Sequence, residues 1–196
     1  MRRMRTEILI YDGFDELDAV GPYEVLSNGG FEPRLVTLSD QGRVTASHGL
    51  ALVPDGTLGA DPELLVVPGG GWNTRAEVGA WGEAQRGDIP RTLAERHAAG
   101  TTIAAVCTGG MIVAAAGLLS GRPAVTHHSA LDELAESGAR VQRDARVVDD
   151  GDILTAGGVT SGLDLALWLV EREKGADVAA RVAAEIEHKR HDAVVA

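Results

Sequence analysis

TTIAAVCTGGMIVAAAGLL, residues 101–119, is the stretch on which the reading of the fold turns. Its first part, residues 102–106, is apolar without alternation, the pattern of a strand buried on both faces by helices packed either side of a parallel sheet. After Cys107 and Thr108 come two glycines and an Ala-rich pattern that predicts a helix over 110–116. A strand, a sharp turn and a helix lift the apex residue above the carboxyl edge of the sheet, where open α/β sheets bind their ligands. Cys107 is that apex. A helix starting behind it offers unpaired N–H groups and a positive dipole end, so the thiolate is expected to be favoured. A free cysteine is more often a small buried hydrophobe. The glycine-rich turn and the position at the sheet edge favour a nucleophile instead.

Outward from this unit, strands are expected at 8–11, 34–38, 64–67, 124–126 and 153–155, with helices at 23–27, 90–99, 130–137 and 163–173 between them. The alternation is that of a doubly wound α/β domain with a mostly parallel sheet. Residues 43–53 and the pair 146–148 and 153–155, joined by Asp149, Asp150, Gly151 and Asp152, read as antiparallel hairpins beside the main sheet. A last helix from Asp177 to about Lys189 carries Val178, Val182 and Ile186 on one stripe. Gly175 is expected to end the helix before it and Asp177 to cap it.

With 196 residues and 44% hydrophobic content the chain suits a single domain spanning 1–196. A net charge of −11 argues against nucleic acid as a partner, because such binding runs on Lys and Arg neutralising phosphate. The single cysteine excludes an intramolecular disulfide and suits a reducing compartment, so the cytoplasm is expected. The apolar run at 8–11 meets Asp12 and Asp15 too soon for a signal peptide or membrane span. No P-loop or dinucleotide fingerprint is present, and no cofactor is expected. His188 and His191, near Glu185 and Glu187, suit a solvated helix end better than a metal site.

Three other segments are expected on the rim that holds Cys107. VVPGGG at 66–71 ends a buried strand, and Gly69, Gly70 and Gly71 can bring backbone N–H groups to a reacting atom, forming an oxyanion pocket with the N–H of Thr108. YDGFDELDAVGPYEVL puts Asp12, Asp15, Glu16 and Asp18 ahead of Pro22, where a helix is expected to begin. A carboxyl close to a thiol and shielded from water has a raised pKa and can donate a proton. Spacing alone does not choose among the four acids. His127 and His128 follow the strand at 124–126, and either can orient the thiol or shuttle a proton, or serve only structurally.

Together LDAVGPYEVL (17–26), VVPGGG (66–71), AAVCTGGMIVAAAGLLSGRPAVTHH (104–128) and LTAGGVTSGLDLALWLVE (154–171) resemble the ThiJ/PfpI superfamily, and within it the isonitrile hydratase branch. The resemblance covers nearly the whole chain. It implies a flavodoxin-like three-layer α/β/α sandwich, a homodimer, and a cysteine on a nucleophile elbow acting on a small molecule. In the hydratase-like branch the cysteine is followed by Thr and Gly, as Cys107 is by Thr108 and Gly109, and an Asp in an LD..GP motif, matching Asp18, works opposite it. Protease and amidase members carry histidine after the cysteine, where this chain has Thr108. Glyoxalase and deglycase members carry glutamate in place of Asp18 and a histidine matching His127. The implied reaction is hydration of an isonitrile to an N-substituted formamide, with dicarbonyl chemistry or redox sensing through the cysteine as alternatives.

Overall fold

The computed structural model describes residues 4–191 and 194–195. The unbroken apolar runs form the centre of the sheet: β1 (Thr6–Leu9), β6 (Leu64–Val67), β7 (Thr102–Val106) and β11 (Ile153–Ala156) are buried along almost their whole length. Outside them lie β2 (Arg34–Thr37) and β5 (Gly56–Thr57) on one flank, and β10 (Val147–Asp149) and β12 (Val194–Val195) on the other. The order across the eight-stranded sheet is β12-β10-β11-β7-β6-β1-β2-β5, and all neighbours are parallel except β10 and β11. One helical layer contains α1 (Glu16–Asn28), α6 (Ser161–Lys174) and α7 (Ala176–Glu185). The other contains α2 (Ala80–Arg86), α3 (Asp88–Ala98) and α4 (Gly109–Ala115). This is the flavodoxin-like three-layer α/β/α sandwich.

The chain leaves β1 toward β2 on one side and later builds β6 and β7 on the other. Right-handed crossovers in opposite directions place their helices on opposite faces, and a crevice opens at the carboxyl ends of the strands where the order reverses. The loops after β1, β6 and β7 meet there.

Several expectations need correction. The helix expected from Pro22 starts six residues earlier, at Glu16, because the Asp15 side chain caps it by accepting the Leu17 N–H at 3.1 Å. Pro22 is tolerated inside the helix although it has no N–H for the Asp18 carbonyl; its buried ring packs beside Gly162 of α6. Asp18 therefore stands in the first turn of α1 rather than in a loop. The strand expected at 124–126 shrinks to β8 (Pro123–Ala124), which pairs with β9 (Arg140–Val141) in a small separate sheet. Thr126 leaves the pairing and uses its hydroxyl elsewhere. The segment 43–53 does form a detached antiparallel pair, β3 (Val44–Thr45) with β4 (Ala51–Leu52). The hairpin of β10 and β11 is instead part of the main sheet, with β11 parallel to β7.

At the end of the chain Gly175, with φ 93°, stops α6 and starts α7 at once, so Asp177 lies inside the first turn and caps nothing. Helix α7 ends at Glu185 rather than near Lys189, since Glu187 adopts φ 50° and turns His188 inward. There the His188 Nε2 meets Oδ1 of buried Asp164 at 2.9 Å, whose Oδ2 accepts from Arg146 Nε at 2.7 Å. His188 is thus a packing partner and not part of a solvated end.

Candidate active site

Cys107 occupies the bend between β7 and α4 with φ 56°, a left-handed conformation that side chains with a Cβ adopt at a cost. Hydrogen bonds to its backbone hold it there. The Cys107 N–H is shared between the carbonyls of Ala156 and Gly157, each at 3.1 Å, and the Cys107 carbonyl accepts the Thr126 hydroxyl at 2.7 Å. Behind the bend α4 approaches β6 so closely that a Cβ on Gly109 would lie 2.1 Å from the Val67 carbonyl oxygen. The atoms it would meet, on Val67 and Pro68, are all backbone. Gly109→Ala should therefore destabilise the protein by about 3 kcal/mol in chemical denaturation, and much more than Gly110→Ala, whose Cβ would meet nothing nearer than 3.3 Å.

Asp18 is fully buried, and its Oδ2 accepts the Gly69 N–H at 3.0 Å. Its Oδ1 has no hydrogen-bond partner among the described residues, and the Cys107 thiol is a neighbour close enough to influence the carboxyl. Burial first, then repulsion from Asp15, pushes the Asp18 carboxyl up to about 8 against the pull of the Gly69 N–H and the thiol. The carboxyl thus carries its proton at neutral pH, and the oxygen left to hold it is Oδ1.

Cys107 is also pushed up, by burial and then by the charge of Asp18, with the Thr108 N–H pulling the other way. The expectation of a favoured thiolate is overturned: one short helix terminus does not outweigh burial beside acids. Below about pH 8 the protonated Asp18 no longer repels the sulfur, which leaves burial as the chief cause. Buried Tyr11 donates its hydroxyl to the Pro68 carbonyl at 2.6 Å and is raised by burial and by Asp18.

The glycine loop acts differently from the oxyanion pocket expected of it. The Gly69 N–H is spent on Asp18, and the Gly70 N–H donates to the Thr108 hydroxyl at 2.9 Å. A Cβ on Gly69 would stand 2.5 Å from the Thr108 nitrogen, so glycine here lets the loops after β6 and β7 touch. Gly71 remains on the wall of an open cleft of about 220 Å³, together with Cys107, Thr108, Asp15, Trp72 and His127. The two histidines part company. His127 lines this cleft, its Nδ1 held 2.6 Å from the Ser129 hydroxyl, and burial with the neighbouring His128 lowers its pKa. His128 is exposed and lines a different pocket.

Among the described residues Asp15, Glu16 and His48 bring potential ligand atoms within 4.8 Å of one another. Glu16 already accepts the His48 N–H at 2.7 Å and faces its Nδ1 at 2.6 Å, which fastens the β3–β4 hairpin to the start of α1.

A protein-family model matches residues 4–172, and its description is the DJ-1/PfpI family. The chain belongs to the DJ-1/PfpI family. Among curated members, the isonitrile hydratase of Pseudomonas putida is 37% identical over 183 residues, covering 92% of this chain and 76% of that protein. A Parkinson disease protein 7 homolog from Danio rerio is 26% identical over 95% of this chain and 98% of its own. Among solved structures, a ThiJ/PfpI family protein from Pseudomonas syringae superposes with a TM-score of 0.84 at 32% identity, over 97% of this chain and 77% of its own.

Within this DJ-1/PfpI frame, the sequence reading missed Thr126, which pins the elbow, and Trp72, whose indole donates to Glu133 at 3.1 Å. The only local signal for Trp72 was its place directly after VVPGGG. No pattern marked Thr126 apart from the strand it closes.

Proposed function

We propose that the protein hydrates an isonitrile to an N-substituted formamide, with Cys107 as nucleophile and Asp18 as the proton carrier. The observation that carries this reading is a buried carboxyl, its pKa raised by that burial, beside a thiol at a strained bend on the wall of a small cleft. The likeness to the Pseudomonas putida isonitrile hydratase supports it.

The sulfur attacks the terminal carbon of R–NC while Asp18 gives its proton to that carbon and receives the thiol proton. The product is the thioimidate R–N=CH–S–Cys107. Water adds to the same carbon, its proton reaching nitrogen through Asp18. The C–S bond then breaks, the hydroxyl proton returns to sulfur, and R–NH–CHO leaves. Over the cycle one water is consumed and both groups regain their protons. The Thr108 N–H steadies charge on sulfur, Gly69 orients Asp18, and Gly70 fixes Thr108. Gly71 lines the cleft that takes the adduct, and Gly109 lets α4 seat the bend against β6.

Cyclohexyl isocyanide should give the formamide, and kcat/KM should be level at neutral pH and fall as Asp18 ionises above about pH 8. No formamide, or a rate that climbs through that range, overturns the reading. A glyoxalase-like conversion of small dicarbonyls is the second reading, favoured by His127 on the cleft wall. Methylglyoxal offered beside the isocyanide separates the two.

The same reading implies a cytoplasmic homodimer. Leu17, Val20 and Tyr23, all exposed along one side of α1, support a self-association surface. Sedimentation should give twice the chain mass, and Val20→Lys should shift it toward the monomer; a native monomer rules the dimer out.

A further inference from the structure

Next to the thiol cleft lies a second pocket of about 280 Å³ whose lining includes the side chains of His127, His128 and Arg143. His127 and Val159 line both spaces. On the pocket side Gly158 packs directly against the His127 ring: a Cβ there would lie 2.0 Å from His127 Cδ2.

The two spaces differ in charge. Asp15 lines the cleft, whereas the pocket has the guanidinium of Arg143, in a chain whose net charge is −11. The acid against Arg143 is Asp132, through one contact of 2.6 Å from Nη2 to Oδ1, with both side chains more than half exposed. That screened contact uses one donor. The other N–H groups of the guanidinium meet no acceptor among the described residues and suit the fork geometry of a carboxylate.

We propose that this pocket receives the substituent of the substrate and selects an anionic group on it, so that the preferred isonitriles carry a carboxylate at the end remote from the isocyano carbon. The inference rests on the hydration reading for its chemistry. A carboxylate is repelled by Asp15 and drawn to Arg143, while the uncharged isocyano end is left to Cys107. The polarity between the two spaces therefore fixes which end of the molecule reaches sulfur. His127, kept neutral, offers its ring edge to the connecting chain.

Two measurements keep the subsite separate from the reaction. In the first, N-formylglycine and its longer straight-chain homologues, each beside its methyl ester, are tested for protection of Cys107 against iodoacetamide. The acids should protect about tenfold better than the esters, and Arg143→Ala should bring the ratio close to one. Equal protection by acid and ester, no protection by either, or a preference that survives Arg143→Ala overturns the subsite whatever the enzyme catalyses. In the second, isocyanoacetate and its homologues are compared with their esters as substrates. An acid preference of similar size, carried by KM and removed by Arg143→Ala, supports the proposal. Turnover with no such preference overturns it and leaves hydration standing. Selective protection without turnover of any isocyanide keeps the anionic subsite and removes the hydration reading.

Discussion

With Cys107 replaced by alanine, formamide production should fall by about a thousandfold or more, the scale on which loss of a covalent nucleophile is usually felt. The fold should survive. The thiol is buried, but the change removes only one sulfur, and the hydrogen bonds that define the bend belong to the backbone and to Thr126. Cys107→Ser is the sharper variant, because it keeps a donor of similar size and removes only the nucleophilicity of sulfur. Cys107→Gly adds a structural control. At φ 56° any Cβ is strained, so glycine should be more stable than alanine by about 1 kcal/mol while equally inactive. Formamide production retained by the serine and alanine variants would remove Cys107 from the chemistry.

The parts legible in the sequence are those whose signal is local. The apolar runs at 64–67 and 102–106 became neighbouring strands, with Val67 opposite Ala105 in register. That pairing brings the glycine loop and the cysteine bend together, as their shared position after buried strands implied. Competing local signals misled at α1, where a proline rule and an aspartate cap pointed to different starts and the cap prevailed. Strands of two residues, such as β5 and β9, carry too little pattern to read. Other features exist only in three dimensions. Nothing near Gly69 or Gly70 says that their N–H groups are spent on Asp18 and Thr108, nor does the sequence around His188 announce Asp164. The ionisation of Cys107 was misjudged for the same reason. A helix terminus can be seen in the order of residues, whereas the burial that outweighs it comes from β6, β7 and α1 folding around the thiol.

Asp18→Asn separates activity from stability most cleanly. The amide keeps an oxygen for the Gly69 N–H and sets an NH₂ group where Oδ1 now stands, but it cannot pass a proton to the isonitrile carbon. Turnover should fall by about 10²- to 10⁴-fold. Stability should move the opposite way, and only with pH. The folded carboxyl releases its proton near 8, whereas the unfolded one does so near the ordinary 3.8. Below the lower value both states hold the proton, so the group costs the fold nothing through ionisation. Between the two values the unfolded state has lost a proton that the native state retains, and the native protein loses about 1.4 kcal/mol of stability per pH unit from this group. Above the higher value the loss is complete and constant. The asparagine variant titrates in neither state, so its stability advantage should be absent near pH 4, grow through neutrality and level off above about pH 8. Denaturant unfolding at several pH values, run beside the hydration assay, reads both effects. A stability difference that does not change with pH would mean that Asp18 is ionised in the folded protein, and the acid role assigned to it would fall.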